Sequence, residues 1–133
     1  MQLVEKLGGT AIRDEGAADR PVVSMDVTGR QVTDADLKQL AACRHLQVLL
    51  LRGTWITDVG LKALAPLQEV QHLDLGLTRV SDAGVKDLAP LERLKVLKLD
   101  HTRVAGHTLK ELVPLQQLQL LALSKTRVSD AGL

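Results

Sequence analysis

The sequence predicts an α/β solenoid with right-handed crossovers, a parallel β-sheet on its concave face and short helices on its convex face. Three observations lead there. The starts at Leu46, Val70, Leu94 and Leu118 are each 24 residues apart. Each unit switches from an alternating apolar pattern to a helical one. The core residues are almost all aliphatic, with 27 Leu, one Trp and no Phe or Tyr in 133 residues. A strand plus a short helix cannot bury its own apolar face, so such units stack, and a strand–helix–strand connection between parallel strands is right-handed.

Taken in order, residues 1–21 lie outside the repeat register. Leu3, Val4 and Leu7 give one apolar helix face that ends at Gly8-Gly9, Thr10–Asp14 reads as a strand, and Gly16–Pro21 reads as a loop. This segment is expected to cap the first repeat, because an end repeat otherwise exposes half its core. The repeats then occupy 22–45, 46–69, 70–93, 94–117 and a truncated 118–133. Apolar residues at relative positions 1, 4 and 6, as in Val70, Leu73 and Leu75, mark each strand. Ile56, Leu61, Leu64 and Leu67 recur at helical spacing behind it. Thr57-Asp58 and Ser81-Asp82 precede the helices and suit caps for the free N–H groups of the first turn. Pro66, Pro90 and Pro114 should end each helix after about two turns. Repeat four has Gly106 where Asp34, Asp58, Asp82 and Asp130 stand in the others, which predicts a lost helix cap. Thr54, Thr78, Thr102 and Thr126 form a register expected to satisfy backbone groups where the strand turns away. Cys43 takes a core position held elsewhere by Leu67 and Leu91, and reads as a small buried hydrophobe. The chain stops at Asp130–Leu133, where a fifth helix should begin, so a piece of a longer array with an uncapped C-terminal edge is expected.

Charge and motif content exclude several function classes. Seventeen basic and sixteen acidic residues give a net charge of +1, which does not suit a dedicated nucleic-acid or polybasic membrane binder. One cysteine excludes an intramolecular disulfide framework and a Cys-rich zinc site. No apolar run approaches membrane-spanning length, and no signal-peptide run opens the chain. Those absences and the single Cys lean towards a cytoplasmic protein of otherwise unread compartment. There is no Gly-rich phosphate loop, no Cys/His metal spacing and no Gly-x-Ser-x-Gly. No enzyme activity, metal or cofactor is expected.

The frame Leu46-x-x-Leu49-x-Leu51-x-x-Thr54, with its copies at 70, 94 and 118, resembles the leucine-rich repeat family, with Thr replacing the usual Asn or Cys. Thr57-Asp-Val-Gly-Leu-Lys-Ala-Leu-Ala-Pro-Leu67 is similar to a bacterial "TDAGL" type. That type is akin to the cysteine-containing repeats of ribonuclease-inhibitor-like and F-box proteins, a likeness that Leu40-Ala-Ala-Cys43 strengthens. The resemblance covers residues 22–133 and implies a protein-binding module. It is specific for fold and not for function.

Residues between the strand leucines should face outward from the concave sheet. They read Ser24, Val48, His72, Val96 and Leu120; then Asp26, Leu50, Asp74, Lys98 and Ala122; then Thr28, Arg52, Gly76, Asp100 and Ser124; then Gly29, Gly53, Leu77, His101 and Lys125. They vary while the frame does not, which suits an extended binding face. Trp55, Arg79, Arg103 and Arg127 occupy one register position beside it, and Trp and Arg are enriched where binding energy concentrates. Val48, Leu50, Val96 and Leu120 offer apolar contact. His72, Asp74, Lys98, Asp100 and His101 form a polar cluster in which an ion pair between Lys98 and Asp74 opposes metal binding. The expected partner is therefore a protein, met by this face and its Trp/Arg edge. The alternatives are self-assembly through the C-terminal edge, and substrate-reading repeats of a ubiquitin-ligase-like protein.

Overall fold

The computed structural model describes residues 2–128. The start of the expected fifth helix, including Asp130, lies outside them. Helix α1 (Gln2–Lys6) and strand β1 (Thr10–Arg13) come first. Strands β2 (Val22–Asp26), β3 (Val48–Leu50), β4 (His72–Asp74), β5 (Val96–Lys98) and β6 (Leu120–Ala122) alternate with helices α2 (Asp34–Leu40), α3 (Asp58–Leu61), α4 (Asp82–Val85) and α5 (Thr108–Glu111). The six strands form one sheet in the order β1-β2-β3-β4-β5-β6. β2 to β6 are parallel, with the 24-residue register intact from Ser24↔Val48 to Val96↔Leu120. β1 runs antiparallel along the outer side of β2. Val4 of α1 is fully buried, and Leu3 and Leu7 pack on the same core.

Packing explains why such short elements persist. In the second repeat Leu49, Leu51, Ile56, Leu61 and Leu67 are 0 % exposed. Each buried aliphatic side chain contributes about 1.5–3 kcal/mol, far more than a single turn of helix could gain alone. α2 has the expected two turns, while the α-helical part of the later helices is shorter. α3 and α4 are each one α-turn, continued by a 3₁₀ turn at Lys62–Leu64 and Lys86–Leu88 that brings the chain to Pro66 and Pro90. The hydroxyls of Thr54, Thr78 and Thr102 each donate to the carbonyl three residues back at 2.6 Å, and Thr126 does so at 2.7 Å. This closes the turn after each of β3 to β6 and leaves no buried hydroxyl unpaired among the described residues.

The aspartate series corrects its reading as helix caps. Capping falls to the preceding hydroxyl at α2 and α3, where Thr33 accepts from the Asp36 N–H and Thr57 from the Val59 N–H, while the expected Ser81 cap is not made at α4, its hydroxyl being turned to Asp58. The aspartates instead link successive repeats. Asp34 accepts from the Thr57 N–H at 2.9 Å and the Thr57 hydroxyl at 2.5 Å. Asp58 accepts from the Ser81 N–H at 2.7 Å and the Ser81 hydroxyl at 2.5 Å. The glycine three residues after each of these hydroxyl donors follows from this link. A Cβ on Gly60 would stand 2.3 Å from Asp34 Oδ1, and one on Gly84 2.3 Å from Asp58 Oδ1. At the third junction Ala105 has no hydroxyl to give. Asp82 accepts its N–H at 2.8 Å, and Thr108, in the glycine position, turns its hydroxyl onto the same carboxylate.

Candidate functional site

The sheet lines up the sequence-predicted residues in rows. Val48, His72, Val96 and Leu120 are Cα partners across β3–β6, and so are Leu50, Asp74, Lys98 and Ala122. Val48, Leu50 and Val96 are half-buried, while Leu120 is 47 % exposed. The half-buried His72 ring leaves its Nε2 without a hydrogen-bond partner. Burial lowers the His72 pKa first, the adjacent Lys98 lowers it further, and Asp74 opposes them. The face therefore presents a neutral imidazole between valines at neutral pH.

The charge arrangement differs from the expected cross-strand pair. Lys98 is in register with Asp74, yet the guanidinium that reaches Asp74 is that of Arg52. Its Nη1 stands 3.7 Å from Asp74 Oδ1 and 3.7 Å from Asp100 Oδ2. Gly76 makes this path available, since a Cβ there would fall 2.1 Å from Arg52 Nη1. Asp74 Oδ1 also accepts from the Gly76 N–H, and Asp100 Oδ1 from the Ser124 N–H, both at 2.9 Å. Asp74 is thus only 8 % exposed. Arg52, Asp74 and Asp100 brace three repeats, while Lys98 makes no ion pair within 4 Å among the described residues. His101 is exposed at a turn and stands apart from this network. No group of three or more His, Cys, Asp or Glu among the described residues is arranged to hold a metal ion.

The fourth predicted feature is the edge row. The N–H groups of Trp55, Arg79, Arg103 and Arg127 donate to the carbonyls of Val32, Ile56, Val80 and Val104, each from the preceding repeat, at 2.9–3.1 Å. Backbone pairing therefore fixes four side chains side by side. Trp55 is 59 % exposed and the three arginines are exposed. Cys43 is only half-buried, against the helical side of the core, and burial raises its thiol pKa.

Sequence reasoning missed one concavity. A groove of about 680 Å³ opens between α2 and α3, on the helical side. Small residues there read individually as ordinary helix surface, and only the juxtaposition of two repeats makes a groove of them.

These observations define an α/β solenoid with a regular sheet face and a backbone-locked edge row. The fold is a leucine-rich-repeat solenoid, and a model described as "Leucine Rich repeat" matches residues 42–65 and 68–89. An internalin C2 structure from Listeria monocytogenes str. 4b F2365 is similar at 31 % identity and TM-score 0.61, over 70 % of this chain and 38 % of that one. An internalin (inlF) structure from the same strain is similar at 26 % identity and TM-score 0.51, over 75 % of this chain and 34 % of that one. A PEPR1-AtPEP1 crystal structure shares the fold at 16 % identity and TM-score 0.53, over 84 % and 19 %. The chain therefore spans about a third of the internalin structures it matches. No curated protein matches. No helix among the described residues is long and apolar enough to cross a membrane.

Proposed function

We propose that the chain is a non-enzymatic protein-interaction module whose binding surface is the concave sheet with its Trp55–Arg79–Arg103–Arg127 edge. The observation that carries this is the position of Trp55. The sole aromatic residue of an aliphatic protein is 59 % exposed, and it heads a row of exposed arginines held in register by backbone hydrogen bonds. An exposed indole beside guanidinium groups, on a frame that needs no ordering, is the composition of an anchoring patch. Likeness to other leucine-rich-repeat structures supports the class of activity.

The test is selection of binders from a displayed peptide library, followed by titration with Trp55 emission as the reporter. Trp55→Ala and Arg103→Glu should each weaken the selected binders about thirtyfold, the effect of losing roughly 2 kcal/mol at an anchor. Binders that tolerate both substitutions would place recognition elsewhere. A second reading, self-assembly, is favoured by β6, which has only β5 beside it among the described residues and carries the exposed Leu120. Light scattering over a concentration series separates the two: a mass that doubles in wild type but not in Leu120→Lys supports assembly.

A further inference from the structure

The groove between α2 and α3 lies on the side of the molecule away from the sheet. Its apolar lining comes from Ala35, Ala41, Ala42, Val59, Ala63 and Pro66. Val59 is 71 % exposed, so the apolar wall is open to solvent. Lys38, Arg44 and Lys62 complete the rim; all three are exposed and make no ion pair within 4 Å among the described residues. The one acidic residue in the lining, Asp34, has both oxygens engaged with Thr57. The groove is thus an apolar trough ringed by unanswered positive charge.

The repeat frame does not demand this. The positions of Val59 and Ala63 are held by Ala83 and Asp87 one repeat later, and by His107 and Glu111 in the next. The lysine row continues as Lys86 and Lys110, but there a carboxylate follows each lysine directly in sequence. The first helix pair combines small apolar walls with a cationic rim whose lining holds a single carboxylate, that of Asp34. About 680 Å³ is within the range of specific binding sites. The lining has no buried polar group to orient a small ligand. Apolar depth and a cationic rim together fit apolar side chains flanked by carboxylates.

We propose that this groove docks an acidic, amphipathic segment of a protein partner, with apolar side chains against Val59 and Ala63 and carboxylates against Lys38, Arg44 and Lys62. Such a segment would dock by the helix-in-groove mode, with anchors on one helical face. The site is independent of the sheet face, so one can fail without the other.

The test uses the full chain and a fluorescein-labelled peptide of Leu and Glu, with Leu at i, i+3, i+4 and i+7, beside the same peptide with Lys for Glu. Anisotropy should show the Glu peptide binding at least about tenfold more tightly, with the difference shrinking at high salt. Val59→Asp and Lys62→Glu alter exposed side chains, and an unchanged melting temperature confirms folding. Each should weaken binding about tenfold or more, while Trp55→Ala and Arg103→Glu leave it unchanged. Equal binding of the two peptides, or loss with the Trp55 and Arg103 variants alone, would overturn the proposal. So would phosphatidylserine vesicles that bind through Lys62 in the absence of any peptide binding, since that would assign the groove to a membrane surface.

Discussion

The junctions between repeats are not equivalent. At the first two, one carboxylate takes both a backbone N–H and a hydroxyl of the next repeat, from Thr57 and then Ser81. At the third, Asp82 is served by Ala105 and by the displaced hydroxyl of Thr108. At the fourth, the equivalent position is Gly106, which has no side chain to offer. A solenoid's stability is close to a sum of repeat terms and nearest-neighbour terms, so the difference is a gradient. The N-terminal repeats are joined on the helical side by paired carboxylate hydrogen bonds, and the C-terminal one by sheet pairing, leucine contact and the single Asp100–Ser124 bond. The last helix differs too: with Gly106 in place of the aspartate it starts later, at Thr108, and no 3₁₀ turn extends it among the described residues.

The largest expected effect breaks a strong junction. Gly84→Ala puts a methyl 2.3 Å from Asp58 Oδ1, and either the carboxylate or the α4 backbone must move. Overpacking and the loss of a charge-assisted hydrogen bond together should cost about 3 kcal/mol in urea unfolding. Asp58→Ala should cost about 2–3 kcal/mol by orphaning the Ser81 N–H and hydroxyl. In the double variant the methyl is clear of the carboxylate and meets the end of the Leu61 side chain, at 3.0 Å. The two losses should therefore fall well short of additivity, and the cycle should show a coupling above about 1 kcal/mol. Additive losses would mean that the glycine is there for some reason other than the carboxylate.

The next effect repairs the weak junction. Gly106→Asp supplies the carboxylate that this junction lacks; Ser129, which lies outside the described residues, is the residue aligned in sequence with Thr57 and Ser81. It should stabilise the chain by about 1 kcal/mol, the net value of a typical hydrogen bond. The gain should appear as slower amide exchange in β6 rather than in β3. Faster exchange in β6 would show that Gly106 is needed for its backbone freedom.

Why some of this was legible in advance follows from which interactions are local. The strand leucines and the Thr54 series act within one repeat, so a 24-residue self-comparison reveals them. The aspartates act 23 residues away, in a geometry that imitates a cap site, because the acceptor opens one helix and its donor stands just before the next. The covariation of Ala105 with Thr108 is a trace of that link, readable only once the link is known. The same limit applied on the sheet. Register correctly placed Lys98 beside Asp74, but a long side chain from the next strand over, with Gly76 beneath it, reached Asp74 instead. Alternation fixes the face on which a residue lies, and not which of two cations reaches a carboxylate. The α2–α3 groove escaped for a related reason: alanine and proline signal a cavity only when two helices bring them together.

The smallest effect sharpens the same comparison at the turns after the strands. Gly29 and Gly53 occupy left-handed backbone at φ +71° and +69°, while Leu77, His101 and Lys125 are held there at +54°, +55° and +57°. The first two repeats thus turn without strain, and the last three do so against the side chain's preference. For an L-residue the left-handed region costs about 1–2 kcal/mol, and glycine loses about 0.5–1 kcal/mol more chain entropy on folding. Leu77 is 51 % exposed and gives up little burial on removal. The balance predicts that Leu77→Gly stabilises by about 0.5 kcal/mol, read as a small rise in melting temperature, and that Gly53→Leu does the reverse. If Leu77→Gly destabilises instead, the exposed leucine holds its turn by contact rather than enduring it. Strain would then no longer distinguish the two halves of the solenoid, leaving the carboxylate links as the difference between them.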